Sequence, residues 1–190
     1  EMINALAKIW SDRTTDPLII RVAARLGSQA AHDRAVALAM DANAAESTRL
    51  AMFSILQELG NSACVGPALK LAATGETEAI QLATLRLLGR FSDERIVKQL
   101  LTDYPQMAGL PRSYARDALL GRAGSALAFL QEIDRGKYAP DEVTSDQLRR
   151  VALHGDEQID ALVRKHWGNI RAGTPEEKLA EIRRITNDLR

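Results

Sequence analysis

Three histidines and a single cysteine are the side chains of this 190-residue chain best suited to chemistry. The most distinctive setting is the stretch VRKHWGNIRAGTPEEK, Val163 to Lys178, where His166 stands beside Trp167. A histidine there would serve as a general base or a metal ligand only with a carboxylate or second ligand held at a fixed spacing. Ile159, Leu162, Val163 and His166 follow an i, i+3, i+4, i+7 pattern, which puts His166 on the apolar stripe of a helix or at its edge. No Asp, Glu or Cys lies three or four residues away on that side. The spacing therefore predicts a structural joint made of His166, Trp167, Gly168, Thr174 and Pro175. Trp167 packs under the next turn, Gly168 stops one helix, and Thr174 with Pro175 starts another.

The remaining candidates read the same way. His154 falls in the last turn before Gly155, where a donor or cationic side chain suits the carboxyl end of a helix. His32 opens a helix beside Asp33, and solvent exposure is expected. The three histidines never approach H-x-x-x-H spacing, and one cysteine cannot build a zinc cluster. Cys64, within NSACVGPALK, is expected to pack as a small hydrophobe. There is no C-x-x-C-H, no G-x-G-x-x-G or P-loop, and no G-x-S-x-G. The acidic pairs Asp93-Glu94, Asp141-Glu142, Asp156-Glu157 and Glu176-Glu177 sit at helix starts, where they offset the helix dipole. No catalytic, cofactor-binding or metal-binding residue is assigned, and a non-catalytic chain is expected.

The elements that carry these residues recur with a period near 32. Leu50-Ala51, Leu82-Ala83 and Tyr114-Ala115 repeat at that spacing, as do Leu56, Leu88 and Leu120. Each segment closes at a glycine (Gly60, Gly89, Gly121), and the expectation is a left-handed residue ending a helix. PLIIRVAARLG, closing at Gly27, is a weaker earlier copy. After each glycine a second apolar-periodic segment follows, with Asp93 and Ser125 as plausible amino-terminal caps. The unit is helix, turn, antiparallel helix. Such pairs bury their stripes by stacking, so the predicted fold is all-α, a short right-handed α-solenoid, and it resembles the HEAT-like α-α superhelix.

HEAT-like repeats are expected over residues 1–135, and carboxyl-terminal helices closing the stack over 136–190. The stretch DRGKYAPDEV, with Gly136 and Pro140, reads as the longest loop. Thr144-Ser-Asp-Gln147 and Thr174-Pro-Glu-Glu177 have capping-box spacing. The last predicted helix carries the stripe Leu179, Ile182, Ile185, Leu189. The chain opens at Glu1 and stops at Arg190 on an uncapped helical pattern, so a domain cut from a longer protein is expected.

Composition limits the partners. Lys plus Arg and Asp plus Glu number 25 each, and aromatic residues are only 4%. With no basic surplus and few stacking side chains, nucleic acid is not an expected partner. No run approaches the roughly 20 apolar residues of a membrane span. Neighbouring domains of the same polypeptide, or another protein, are the expected partners.

The carboxyl-terminal stretch resembles a known family. His154-Gly155-Asp156, Lys165-His166-Trp167-Gly168 and Thr174-Pro175-Glu176-Glu177-Lys178 are similar to the region before the haem-binding domain of the Pirellula/Verrucomicrobium-type membrane-bound dehydrogenase and haem-binding proteins of planctomycetes and verrucomicrobia. In that family a propeller-like dehydrogenase domain precedes a helical-repeat region, and a C-x-x-C-H cytochrome c domain follows it. The resemblance implies a scaffold that positions redox domains in a periplasmic or envelope-associated bacterial protein. It places no haem ligand within these residues. The alternatives are a HEAT-like enzyme of the DNA glycosylase or bilin lyase kind, or a free-standing adaptor that binds peptides.

Overall fold

In the computed structural model, residues 15–72 and 76–168 are described. Among them the chain forms ten α-helices, three short 3-10 turns and no strand. The first seven helices are α1 (Pro17–Arg25), α2 (Gln29–Met40), α3 (Glu46–Leu59), α4 (Val65–Ala72), α5 (Glu78–Leu88), α6 (Glu94–Asp103) and α7 (Gly109–Leu120). Three more follow: α8 (Ala123–Asp134), α9 (Ser145–Ala152) and α10 (Glu157–Trp167). The all-helical class follows from the 3.6-residue apolar period and the scarcity of β-branched and aromatic runs. No helix among the described residues is long and apolar enough to cross a membrane.

By its contacts the chain divides between Leu119 and Leu120, so α8 groups with α9 and α10. The sequence placed its own boundary later, at 135/136. In the first unit the most extensive contact is between α2 and α3, and α5 packs on both α3 and α4. Both α2–α3 and α4–α5 are pairs of helices consecutive in the chain. Like helices also touch in order: α1 with α3, α3 with α5, α2 with α4, and α4 with α6. Leu56 and Leu88 are buried at 1% and 0% exposure, and Leu120, in the second unit, at 5%. These are the positions that the 32-residue period picks out.

Three glycines correct the expected turn chemistry. Gly60 (φ −66°) and Gly89 (φ −59°) have ordinary negative φ, and Gly121 is not among the left-handed residues. At Gly60 the requirement is space instead. An added Cβ would stand 2.3 Å from the Leu56 carbonyl oxygen and 3.4 Å from Cys64 Sγ. The left-handed stops occur elsewhere. Gly27 (φ +84°) ends α1, with Gly27 N–H donating to Ala24 O and Ser28 N–H to Ala23 O. Gly136 (φ +76°) ends α8 in the same way, through Ile133 O and Glu132 O.

The caps follow sequence more closely. Asp93 accepts from Arg95 N–H at the start of α6, as expected of that position. Thr144 and Gln147 form the reciprocal capping box of α9. Ser125 does not cap. The cap of α8 is Arg122, and Ser125 sits inside the helix with its hydroxyl donating to Arg122 O at 3.1 Å.

One ion pair braces the first unit from within. Arg49, on α3, is 5% exposed. Its Nε donates to Ala39 O at 3.1 Å, and its two terminal nitrogens grip both oxygens of Glu76 at 2.8 and 3.0 Å. The side chain therefore links the end of α2, the body of α3 and the segment leading into α5. A two-pronged guanidinium–carboxylate pair suits such a junction because its geometry is directional as well as attractive.

Candidate functional site

In the second unit, α8 and α10 pack together and α9 contacts α10. His166 and Trp167 close α10, which ends at Gly168 with φ +76°. His166 has the partner that helical spacing did not supply. Its Nε2 lies 2.8 Å from Asp134 Oδ1, on the last residue of α8, and Lys165 Nζ reaches the same oxygen at 2.5 Å. A carboxylate only accepts, so the imidazole Nε2 carries the proton in this bond. Lys165 first, and His166 second, hold the Asp134 carboxyl below its ordinary range. His166 is 19% exposed and Asp134 30%, so the pair lies at the surface.

Trp167 fastens the loop that sequence placed at 134–143. Its indole N–H donates to Pro140 O at 3.0 Å. The loop is pinned at other points too. Tyr138 is buried and stacks on Phe129 of α8 with ring centroids 5.2 Å apart, Val143 is buried, and Lys137 pairs with Glu132. The cluster Asp134, Lys165, His166 and Trp167 thus ties α10 to the end of α8 and to its outgoing loop. Thr174 and Pro175, the other half of the expected joint, lie outside the described residues, as does the stripe Leu179 to Leu189.

The other single residues resolve differently. Solvent exposure was expected of His32 from its neighbour Asp33, but the side chain is buried, at 7% exposure. It shares a face with Ala35 and Ala39, at i+3 and i+7, and that period was the legible signal. Its Nε2 accepts from Asn61 N–H at 3.4 Å, and Nδ1 stands 3.6 Å from Asp33 Oδ1. His154 does meet a carboxyl-terminal carbonyl, but that of another helix. Its Nε2–H donates to Leu120 O, the last residue of α7, at 2.9 Å. Cys64 is fully buried, its thiol donates to Asn61 O at 2.8 Å, and burial raises its pKa. Such a thiol is a packing group. No group of three or more His, Cys, Asp or Glu among the described residues could hold a metal ion.

The first unit presents a groove that single-residue reasoning missed. It has a volume of about 470 Å³ and lies between α3 and α5. Leu50, Ser54 and Gln57 line it from α3, and Ala79, Leu82 and Arg86 from α5, over a base of buried Phe53 and Ala83. Gln57 Nε2 donates across it to Ala83 O at 3.0 Å, fixing the two helices side by side. Arg86 donates to the Tyr114 hydroxyl at 2.6 Å and lies 4.9 Å from the centre of that ring. Leu50 and Leu82 were visible as repeat positions, but a period cannot say that the seam between two like helices is left open. Compared with protein-family models, curated proteins and solved structures, the chain matches none.

Proposed function

We propose that this chain is a non-catalytic helical-repeat scaffold that holds other protein domains or segments against its surface. The observation that supports the reading is the ordered contact of like helices, α1 on α3 on α5 and α2 on α4 on α6. Helix pairs in HEAT-like superhelices stack in this nearest-neighbour manner, and the result is an extended surface rather than an enclosed pocket. On this reading the pairs form a short right-handed α-solenoid. The buried positions Leu56 and Leu88 serve successive interfaces within it. The resemblance of the carboxyl-terminal stretch makes the held domains redox domains, a dehydrogenase and a c-type cytochrome, in a bacterial envelope protein.

Lysine cross-linking of the protein in its native cells, read by mass spectrometry, tests the scaffold. Lys70, Lys98, Lys137 and Lys165 provide sites in both units. Cross-links to two or more distinct folded domains are expected. Cross-links to none, or turnover of a small molecule by the purified chain, would overturn the reading. The residues encoded after Arg190 decide the redox version: a C-x-x-C-H motif supports it, and its absence removes it.

A further inference from the structure

We infer that the groove between α3 and α5 docks a protein segment in which an aliphatic side chain lies within a turn of a carboxylate. The inference rests on the scaffold reading and gives the chemistry of one partner. The apolar part is supplied by Leu50 and Leu82, both partly exposed, above the fully buried Phe53. Apolar concavities with a few fixed polar groups are where ligands bury most surface.

The charged part is Arg86. Its described partners are the Tyr114 hydroxyl and ring, both neutral, so its positive charge is not balanced by a carboxylate. A guanidinium carries five donors, and Tyr114 engages one nitrogen, which leaves donors for an incoming carboxylate. The surrounding charges are arranged differently. Arg25 and Arg21 both face Glu58, and Arg21 donates to Ser54. Glu46 and Glu78 stand in the first turns of the same two helices, and Glu46 accepts from Thr77. Neither of these carboxylates lines the groove, and Arg86, near the carboxyl end of α5, is the charged side chain that does. An acidic group of the occupant belongs at Arg86, with its aliphatic neighbour between Leu50 and Leu82.

The probe is a phage-displayed library of short random peptides selected on the full chain. Enriched sequences are expected to pair Leu, Ile or Val with Asp or Glu. A synthetic enriched peptide, titrated by fluorescence anisotropy, should lose at least about tenfold in affinity on Arg86→Glu. Leu82→Glu should weaken it comparably, with unchanged circular-dichroism melting for both variants. A peptide with Lys in place of its acid should bind Arg86→Glu better than the parent chain, a readout that survives even if Leu82→Glu misfolds. No enrichment, enrichment of basic peptides, or affinity indifferent to Arg86→Glu would overturn the inference. None of these results alters the cross-linking outcome, by which the scaffold reading stands or falls separately.

Discussion

Arg49 and Glu76 are joined through both carboxylate oxygens, at 2.8 and 3.0 Å, with the arginine 5% exposed. Removing one partner leaves a largely buried charge uncompensated, the costly half of such a pair. Arg49→Met should therefore destabilise the first unit by about 3 kcal/mol. The double variant with Glu76→Gln should recover part of that loss, because the orphaned charge is gone. Urea unfolding of Arg49→Met, Glu76→Gln and the double variant measures the coupling.

The same pair sets an acid limit. Arg49 holds the Glu76 carboxyl below its ordinary value, chiefly through the side-chain hydrogen bond. A depressed folded value contributes stability that is fully present above the unfolded carboxylate pKa of about 4.3. That contribution is lost as the pH falls below this value and through the lower folded one. Stability should be flat in this respect from neutral pH to about 5 and decline below it. The decline should be shallower in Glu76→Gln, as read from melting temperature against pH.

Trp167 offers a test of the carboxyl-terminal cluster. Trp167→Phe keeps an aromatic body but removes the donor to Pro140 O, which should cost about 1 kcal/mol. Amide hydrogen exchange should then speed up in the 137–143 loop while the helices of the first unit keep their protection. Trp167→Ala should cost more, about 2–3 kcal/mol, below the full aromatic value because the ring is only half-buried. Unchanged exchange in the loop would mean that Tyr138 and Val143 suffice to hold it.

Two glycines that look equivalent in sequence should behave differently. Gly60→Ala drives a Cβ onto the Leu56 carbonyl oxygen and should destabilise by about 1–3 kcal/mol. Gly89 has helical φ and ψ, and its nearest atom to an added Cβ is 3.4 Å away. Gly89→Ala should therefore be neutral or stabilising by about 0.5 kcal/mol, through loss of unfolded-state freedom. Thermal melts of the pair give the answer directly.

Leu88 is fully buried at a repeat position, and Leu88→Ala should cost about 2–5 kcal/mol. Arg86→Ala, two residues away on an exposed face, should change stability by less than about 1 kcal/mol. Chemical denaturation of the two separates a core position from a surface one on the same helix.

The helical class, the 32-residue recurrence and the caps at Asp93 and Thr144 were determined by the sequence alone. Each is a local property: an apolar period, or a short oxygen-bearing side chain two or three residues before an orphan amide. The burial of His32 was legible in the same period and was masked by its neighbour Asp33. What tertiary structure decided are the relationships between residues distant in the chain. Asp134 meets His166 across 32 residues, Arg49 meets Glu76 across 27, and His154 reaches the Leu120 carbonyl across 34. No spacing rule along one helix can forecast these, because they depend on which helices lie side by side. Gly60 and Gly89 differ for a local reason that only the coordinates disclose: both end a helix, but the Leu56 carbonyl oxygen, four residues back, stands against the place where a side chain at Gly60 would go, and the corresponding Leu85 oxygen is 3.4 Å from that place at Gly89.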